Sequence, residues 1–211
     1  MAQAGEALDF PRRRRFAPPM IDRRRLLAAA IAAPLAGPLA APALRAARAQ
    51  TATRLALLHM NDFHARHEGL AASGAVCQPN RPCLGGAARL AGAIAAMRAG
   101  AAAEGRTPLL LDAGDQFTGS LFFTEHQGLA EAAVQRITAP DAMALGNHEF
   151  DRGPAILARY AGAVPFPLLS ANLDASAEPL LRDRIAAATV LHRGGARIGV
   201  VGLTTQTTPY A

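Results

Sequence analysis

Four short polar clusters carry side chains able to do metal-assisted or acid–base chemistry: Asp62-Phe63-His64, Gly114-Asp115, Asn147-His148 and Asp151. In an extended segment alternate side chains share a face, so Asp62 and His64 can grip one ion together. Asp115 follows a glycine that permits a sharp turn, and its two oxygens can bridge two metals. Asn147 offers a neutral carbonyl oxygen, while His148 beside it can point toward a substrate. Mixed nitrogen and oxygen ligands suit Zn, Mn, Fe or Co rather than Ca. Two ions about 3.5–4 Å apart would clamp a phosphoryl group, lower the pKa of a bridging water and stabilise the leaving oxygen. The reaction expected of such a centre is in-line attack by the bridging hydroxide, with no protein nucleophile. A protonated His148 would serve the leaving oxygen, with Asp151 holding the imidazolium in orientation. Each cluster alone has a plainer reading: a chance D-x-H, a Gly-Asp turn, a helix cap at Asn147, or an N-cap at Asp151.

The elements around these clusters give them a common position. Leu55–Met60 reads as a buried strand ending at Asn61-Asp62, and Gly85–Glu104 as an Ala-rich helix with Leu90, Ile94 and Met97 at helical spacing. Leu109–Leu111 is a short strand ending in Asp112-Ala-Gly-Asp115. A helix over Leu129–Ile137 precedes the strand Ala142–Leu145, which ends at GNHEFD. Pro154–Ala161 is helical, with Pro early in its first turn. Phe166–Leu169 is a strand ending near Asn172. Thr189–His192 and Arg197–Leu203 flank Gly194-Gly195 as a hairpin. Strand and helix alternate as in an α/β layered sheet with flanking helices. Asp62, Asp115, Asn147 and Asn172 each follow a different strand, and ligands of open α/β sheets bind at the carboxyl ends of strands. These four are therefore expected to converge.

Of 211 residues, the first 49 hold nine arginines against Glu6, Asp9 and Asp22, which accounts for the entire net charge of +6. The rest is neutral overall and offers no electrostatic footprint for nucleic acid. The basic segment reads instead as an export signal: Arg23-Arg24-Arg25-Leu26-Leu27, an uncharged run to Leu44, and the small-x-small site Ala47-Arg48-Ala49. The paired arginines before leucines are of the twin-arginine type. Pro34, Gly37, Pro38 and Pro42 make an uncleaved membrane anchor the poorer alternative. A periplasmic or secreted location, passage through the twin-arginine machinery and no stable membrane association after cleavage are expected. For an exported protein, Cys77 and Cys83 read as a short-loop disulfide, with two free thiols as the alternative.

NDFH, GDQFTGS and GNHEFD, in this order and spacing, resemble the calcineurin-like metallophosphoesterases, and within them the bacterial periplasmic 5′-nucleotidase branch. That branch also contains UDP-sugar hydrolases and 2′,3′-cyclic-nucleotide phosphodiesterases. Gly85-Gly86-Ala-Ala-Arg89 and Val200-Val201-Gly202-Leu203-Thr204-Thr205 are similar to it too. The resemblance covers residues 54 to about 209. It implies a four-layer α/β/β/α fold when complete, and two divalent ions (Zn, Mn, Co, Fe or Mg). It also implies Asp62, His64, Asp115 and Asn147 as metal ligands, His148 and Asp151 as a catalytic dyad, and a nucleotide substrate. The alternatives within the class are cyclic nucleotides, UDP-sugars or the sulfur esters of related thiosulfohydrolases.

The family pattern includes two further downstream histidines, and the branch has a separate C-terminal domain for the nucleoside base. His192 is the one later histidine, and its surroundings do not match. Residues 50–211 are thus expected to form the N-terminal portion of a catalytic domain, with weak or absent dinuclear metal binding and negligible activity. A non-catalytic remnant or binding module is the reading from another class. Strands without partners should leave apolar surface exposed. His59 is expected to be packed, His67, His126 and His192 to lie at the surface, and Phe117, Phe122 and Phe123 to serve the core or a lid. Glu149 and Phe150 have no role on this reading.

Overall fold

The computed structural model describes residues 52–78, 80–206 and 208. The export-signal reading of residues 1–49 lies outside the described residues. Five strands form one parallel sheet in chain order: β1 (Leu55–Met60), β2 (Thr107–Asp112), β3 (Ala142–Ala144), β4 (Leu168–Leu169) and β5 (Ile185–Ala186). Leu55 pairs with Thr107 and Met60 with Asp112, so β1 and β2 end level with one another. A parallel neighbour requires a crossover, and helices supply it from β1 to β4, while turns join β4 to β5. The helices are α1 (Ala87–Ala103), the short α2 (Leu121–His126), α3 (Leu129–Thr138) and α4 (Gly153–Ala163). An antiparallel hairpin, β6 (Ala188–Arg193) and β7 (Ala196–Val201), follows. Among the described residues, no helix is long and apolar enough to cross a membrane.

Local chemistry explains most boundaries. Alanine dominates α1, which gives it high intrinsic propensity. The residue before it, Gly86, has φ 87°, and a Cβ there would lie 2.7 Å from the Gly69 amide nitrogen. Ala139 ends α3 in the left-handed region, and Arg98 of α1 donates to the terminal carbonyls of Thr138 and Ala139 at 2.6 and 2.5 Å. Pro154 occupies the first turn of α4, where its missing N–H costs nothing. Two elements escaped the apolar patterning, α2 and β5, because both are too short to show periodicity.

The helices pack against one another in sequence: α1 on α3, and α3 on both α2 and α4. Phe117, Phe123, Met143, Leu157 and Tyr160 are buried between α3, α4 and the sheet, while Met60, Ile94 and Leu110 join α1 to β1 and β2. Removing one such aromatic would cost about 3–5 kcal/mol. Contrary to a strand buried throughout, β1 alternates. Ala56 and Met60 are buried, whereas Leu55, Leu57 and His59 face the other side and are exposed. His59 is therefore not the packed residue expected from its apolar neighbours. Val190, Val201 and Leu203 of the hairpin region are exposed as well. The hairpin is anchored by Arg193, which donates to Asp141, while Asp141 also accepts the Leu110 N–H at 2.8 Å.

His67 departs from expectation in the opposite sense. It lies below the surface with its Nε2 at 2.9 Å from Oε1 of Glu131, which is fully buried, and its ring meets Phe63 and Phe122. His126 and His192 are exposed. Cys77 and Cys83 are joined, with Cα atoms 5.8 Å apart, within an excursion between β1 and α1. There Leu70 bridges both Val76 and Leu84.

Candidate active site

The loops that follow β1, β2 and β3 meet at the carboxyl end of the sheet. The first is zipped to the second by backbone hydrogen bonds: the N–H groups of Asp62, His64 and Ala65 donate to the carbonyls of Gly114, Asp115 and Gln116 at 2.9–3.0 Å. This contact is possible because the chain leaves ordinary extended geometry. Asp62, His64, Ala65, Asp115 and Thr118 all have φ between 49° and 61°. Each such non-glycine residue costs of order 1 kcal/mol, and such strain collects at functional sites.

The second and third loops approach more closely still. A Cβ on Gly114 would lie 2.3 Å from the Gly146 nitrogen, and one on Gly146 would lie 2.0 Å from Asp115 Oδ1. Only glycine at both positions lets Asp115 sit against the start of GNHEFD. Asp115 Oδ1 then accepts the His148 N–H at 3.1 Å.

His64, Asp115 and His148 offer ligand atoms that all lie within 4.8 Å of one another. His64 Nδ1 is 3.2 Å from the Phe117 carbonyl oxygen, a contact that fixes the proton on Nδ1 and leaves Nε2 as the lone pair. That Nε2 lies 3.6 Å from Asp62 Oδ1, so Asp62 borders the same space while remaining largely in solvent. Asn147 begins the 3₁₀ turn His148–Phe150, and its side chain caps nothing. His64 and Asp115 bring a nitrogen and an oxygen ligand together beside His148, a pairing that suits a borderline divalent cation. Asn172 does not join them. Its amide is spent on Thr204, donating to the carbonyl at 2.7 Å and accepting the N–H at 2.9 Å. Asn172 and Thr204 instead line a cavity of about 540 Å³ beside Phe150, to which none of the proposed ligands contributes.

His148 Nδ1 is 2.8 Å from Asp151 Oδ2, and Thr118 donates its hydroxyl to that same oxygen. The carboxylate raises the imidazole's pKa, chiefly through this hydrogen bond, against a smaller opposing effect of burial. Asp151 does not cap α4, whose N-cap is Arg152.

Besides Glu131, two buried acids close to these loops escaped the sequence reading. Asp112, at the end of β2, accepts from the Gly114 N–H at 2.9 Å and from the side-chain amides of Gln116 and Gln135. Burial pushes its pKa up to about 7, against the pull of the Gly114 bond. Gln135 passes the network on to the hydroxyl of Tyr160. Glu149 is 1% exposed and accepts backbone N–H groups from both adjoining loops. Its pKa is raised by burial, with those hydrogen bonds opposing. A carboxylate next to His148 in the motif was visible in the sequence, but nothing local signalled that it points inward.

A sequence model of the calcineurin-like phosphoesterases matches residues 55–207. The chain belongs to that family. Its members hydrolyse phosphoester bonds and use divalent metals. A mouse 5′-nucleotidase is 39% identical over 166 residues, covering 77% of this chain and 28% of the relative. An apyrase of Tabanus yao is 35% identical, covering 73% and 27%. Among solved structures, a 5′-nucleotidase precursor of Thermus thermophilus superposes with TM-score 0.63 at 42% identity, covering 74% of this chain and 29% of that one. The chain thus spans just over a quarter of the length of the curated relatives it matches. The phosphoesterase fold, a parallel sheet with flanking helices, is the one present.

Proposed function

We propose that this chain supplies the phosphate-handling side of a metal-dependent phosphoester hydrolase of 5′-nucleotidase type, acting on a nucleotide outside the cytoplasm. The observation that carries the proposal is the approach of His64, Asp115 and His148 within 4.8 Å, with His148 backed by Asp151. His64, Asp115, Asp62 and Asn147 would hold divalent cations. Such ions supply Lewis acidity toward a phosphoryl oxygen and a more acidic water. The remaining chemistry belongs to the chain. The Phe117 carbonyl keeps His64 in the tautomer that presents Nε2. Asp151, fixed by Thr118, holds the His148 ring by Nδ1 and favours its protonated form. The proton on His148 Nε2 is then available to the leaving oxygen. The nucleotide preference is taken from relatives named 5′-nucleotidase, and the extracytoplasmic setting from the arginine-leucine signal and the Cys77–Cys83 bond.

Calorimetric titration of the purified 211-residue chain with Mn²⁺ tests the metal-holding part of this reading, where weak binding is expected. Asp115→Ala should abolish Mn²⁺ binding while the far-ultraviolet circular dichroism is retained. Binding of equal strength in wild type and Asp115→Ala would sink it.

A further inference from the structure

Backbone accounting at the Asp115 loop leaves a question that the proposed chemistry does not answer. Along one edge, residues 114–116 present carbonyls to the β1 loop, as a strand would. Along the other edge their N–H groups face inward, where β3 has already turned away and offers no carbonyl. Buried N–H groups require acceptors; Asp112 accepts that of Gly114, and one further side chain supplies the rest. Glu149 Oε1 accepts from Gln116 at 2.8 Å and from Phe117 at 3.4 Å. Its Oε2 accepts from Asp115 at 3.0 Å and from Gly146 at 2.7 Å. Both oxygens are used twice, and a carboxylate is the one side-chain group that can do this.

We infer that Glu149 is a positioning residue that stands in for a missing strand, locking the Asp115 loop to the Gly146–His148 loop in a single register. Four facts support this. Glu149 is buried, so water does not compete for its oxygens. Its four hydrogen bonds all go to backbone N–H groups and none to a proposed ligand atom. It holds the N–H of Asp115, a residue at φ 56° that would otherwise relax toward extended geometry. And it joins the loop carrying Asp115 to the loop carrying His148, residues whose separation sets the cluster. An amide at this position leaves one end a donor facing two N–H groups, so Glu149→Gln removes half the clamp with almost no change in volume.

The register itself is read without metal. In proton–nitrogen spectra of the uniformly labelled 211-residue chain, the amides of Asp115, Gln116 and Gly146 should exchange as slowly as those of β2. Exchange at the rate of an open loop in the wild type would overturn the inference, whatever the variants do. In Glu149→Gln these three amides should shift and lose protection while the β1–β2 amides stay in place; unmoved resonances would overturn it equally. The consequence for the site rests on the proposed function: Mn²⁺ affinity in Glu149→Gln should fall by about tenfold to a hundredfold, as for other outer-shell partners. Tyr160→Phe is the control, since it keeps the ring on Phe117 and removes only a buried hydroxyl that bonds to Gln135 and Met143 and to neither loop. It should lower the melting temperature and leave Mn²⁺ affinity unchanged. An equal affinity loss in both variants would reduce Glu149 to general stability and overturn the positioning role. A wild type that binds no Mn²⁺ would refute the metal reading, and the amide arm would still decide Glu149.

Discussion

The loop after β1 and the loops after β2 and β3 converge on one point but are held there by different physics. Behind Asp62 and His64 the chain runs into a long excursion secured by a disulfide and isolated bridges, and Asp62 itself is 54% exposed. The loops bearing Asp115 and His148 are clamped by buried carboxylates and by backbone contacts that only glycine allows. The Asp62–Ala65 turn is itself tied to the second loop by three backbone hydrogen bonds. The difference therefore lies in what stands behind each loop, which gives the shared centre a rigid half and a more compliant half. A compliant half can adjust to an incoming cation, while the rigid half defines where that cation sits.

Breaking the rigid half should give the larger effects, and pH is the strongest lever. Asp112 has its pKa raised from 3.8 to about 7 by burial, so the folded state keeps a proton that the unfolded state gives up. Stability therefore falls as pH rises from about 4 to about 7 and is level above that. With about 1.4 kcal/mol per unit, the span is at most about 4 kcal/mol. Thermal melts across this range should show that fall in wild type and a smaller one in Asp112→Asn, where Glu149 and His148 still contribute. Parallel lines would show that Asp112 is not its source. Next in size is Gly146→Ala, whose Cβ would meet Asp115 Oδ1 and the Asp115 nitrogen. Urea unfolding should register a loss of about 2–3 kcal/mol; a neutral result would mean the two loops can part freely.

The compliant half should yield less. Replacing both Cys77 and Cys83 by serine should cost about 2 kcal/mol, since the closed loop is short. The same denaturant titration would read it, and a loss well above that would place the excursion among the rigid parts. The smallest effect is expected from Asp62→Asn, within about 0.5 kcal/mol for a solvated surface group. A loss of several kcal/mol there would erase the distinction between the halves.

Much of this was legible beforehand for identifiable reasons. The strand Leu55–Met60 was readable to its last residue because its apolar run stops at Asn61-Asp62, and α3 because Gly128 and Pro140 bracket it. The hairpin was legible from Gly194-Gly195. His67 was not, because its burial depends on Glu131, a partner 64 positions away. Asn172 looked equivalent to Asp115 and Asn147, since each follows a strand, yet its amide is consumed by Thr204.

By itself, then, the sequence determined the order of elements, the placement of polar clusters at strand ends, the concentration of charge in residues 1–49 and the family. All of these follow from local propensity, short-range periodicity or motif spacing. Tertiary structure alone decided which acids are interior, which face of β1 is bare, and which of the four strand-end residues share a centre. Those outcomes depend on what lies across a gap between loops. For Glu149 the deciding donors at Asp115, Gln116 and Phe117 stand more than thirty positions earlier in the chain. No local pattern encodes that meeting, and the same carboxylate on an open loop would simply be solvated.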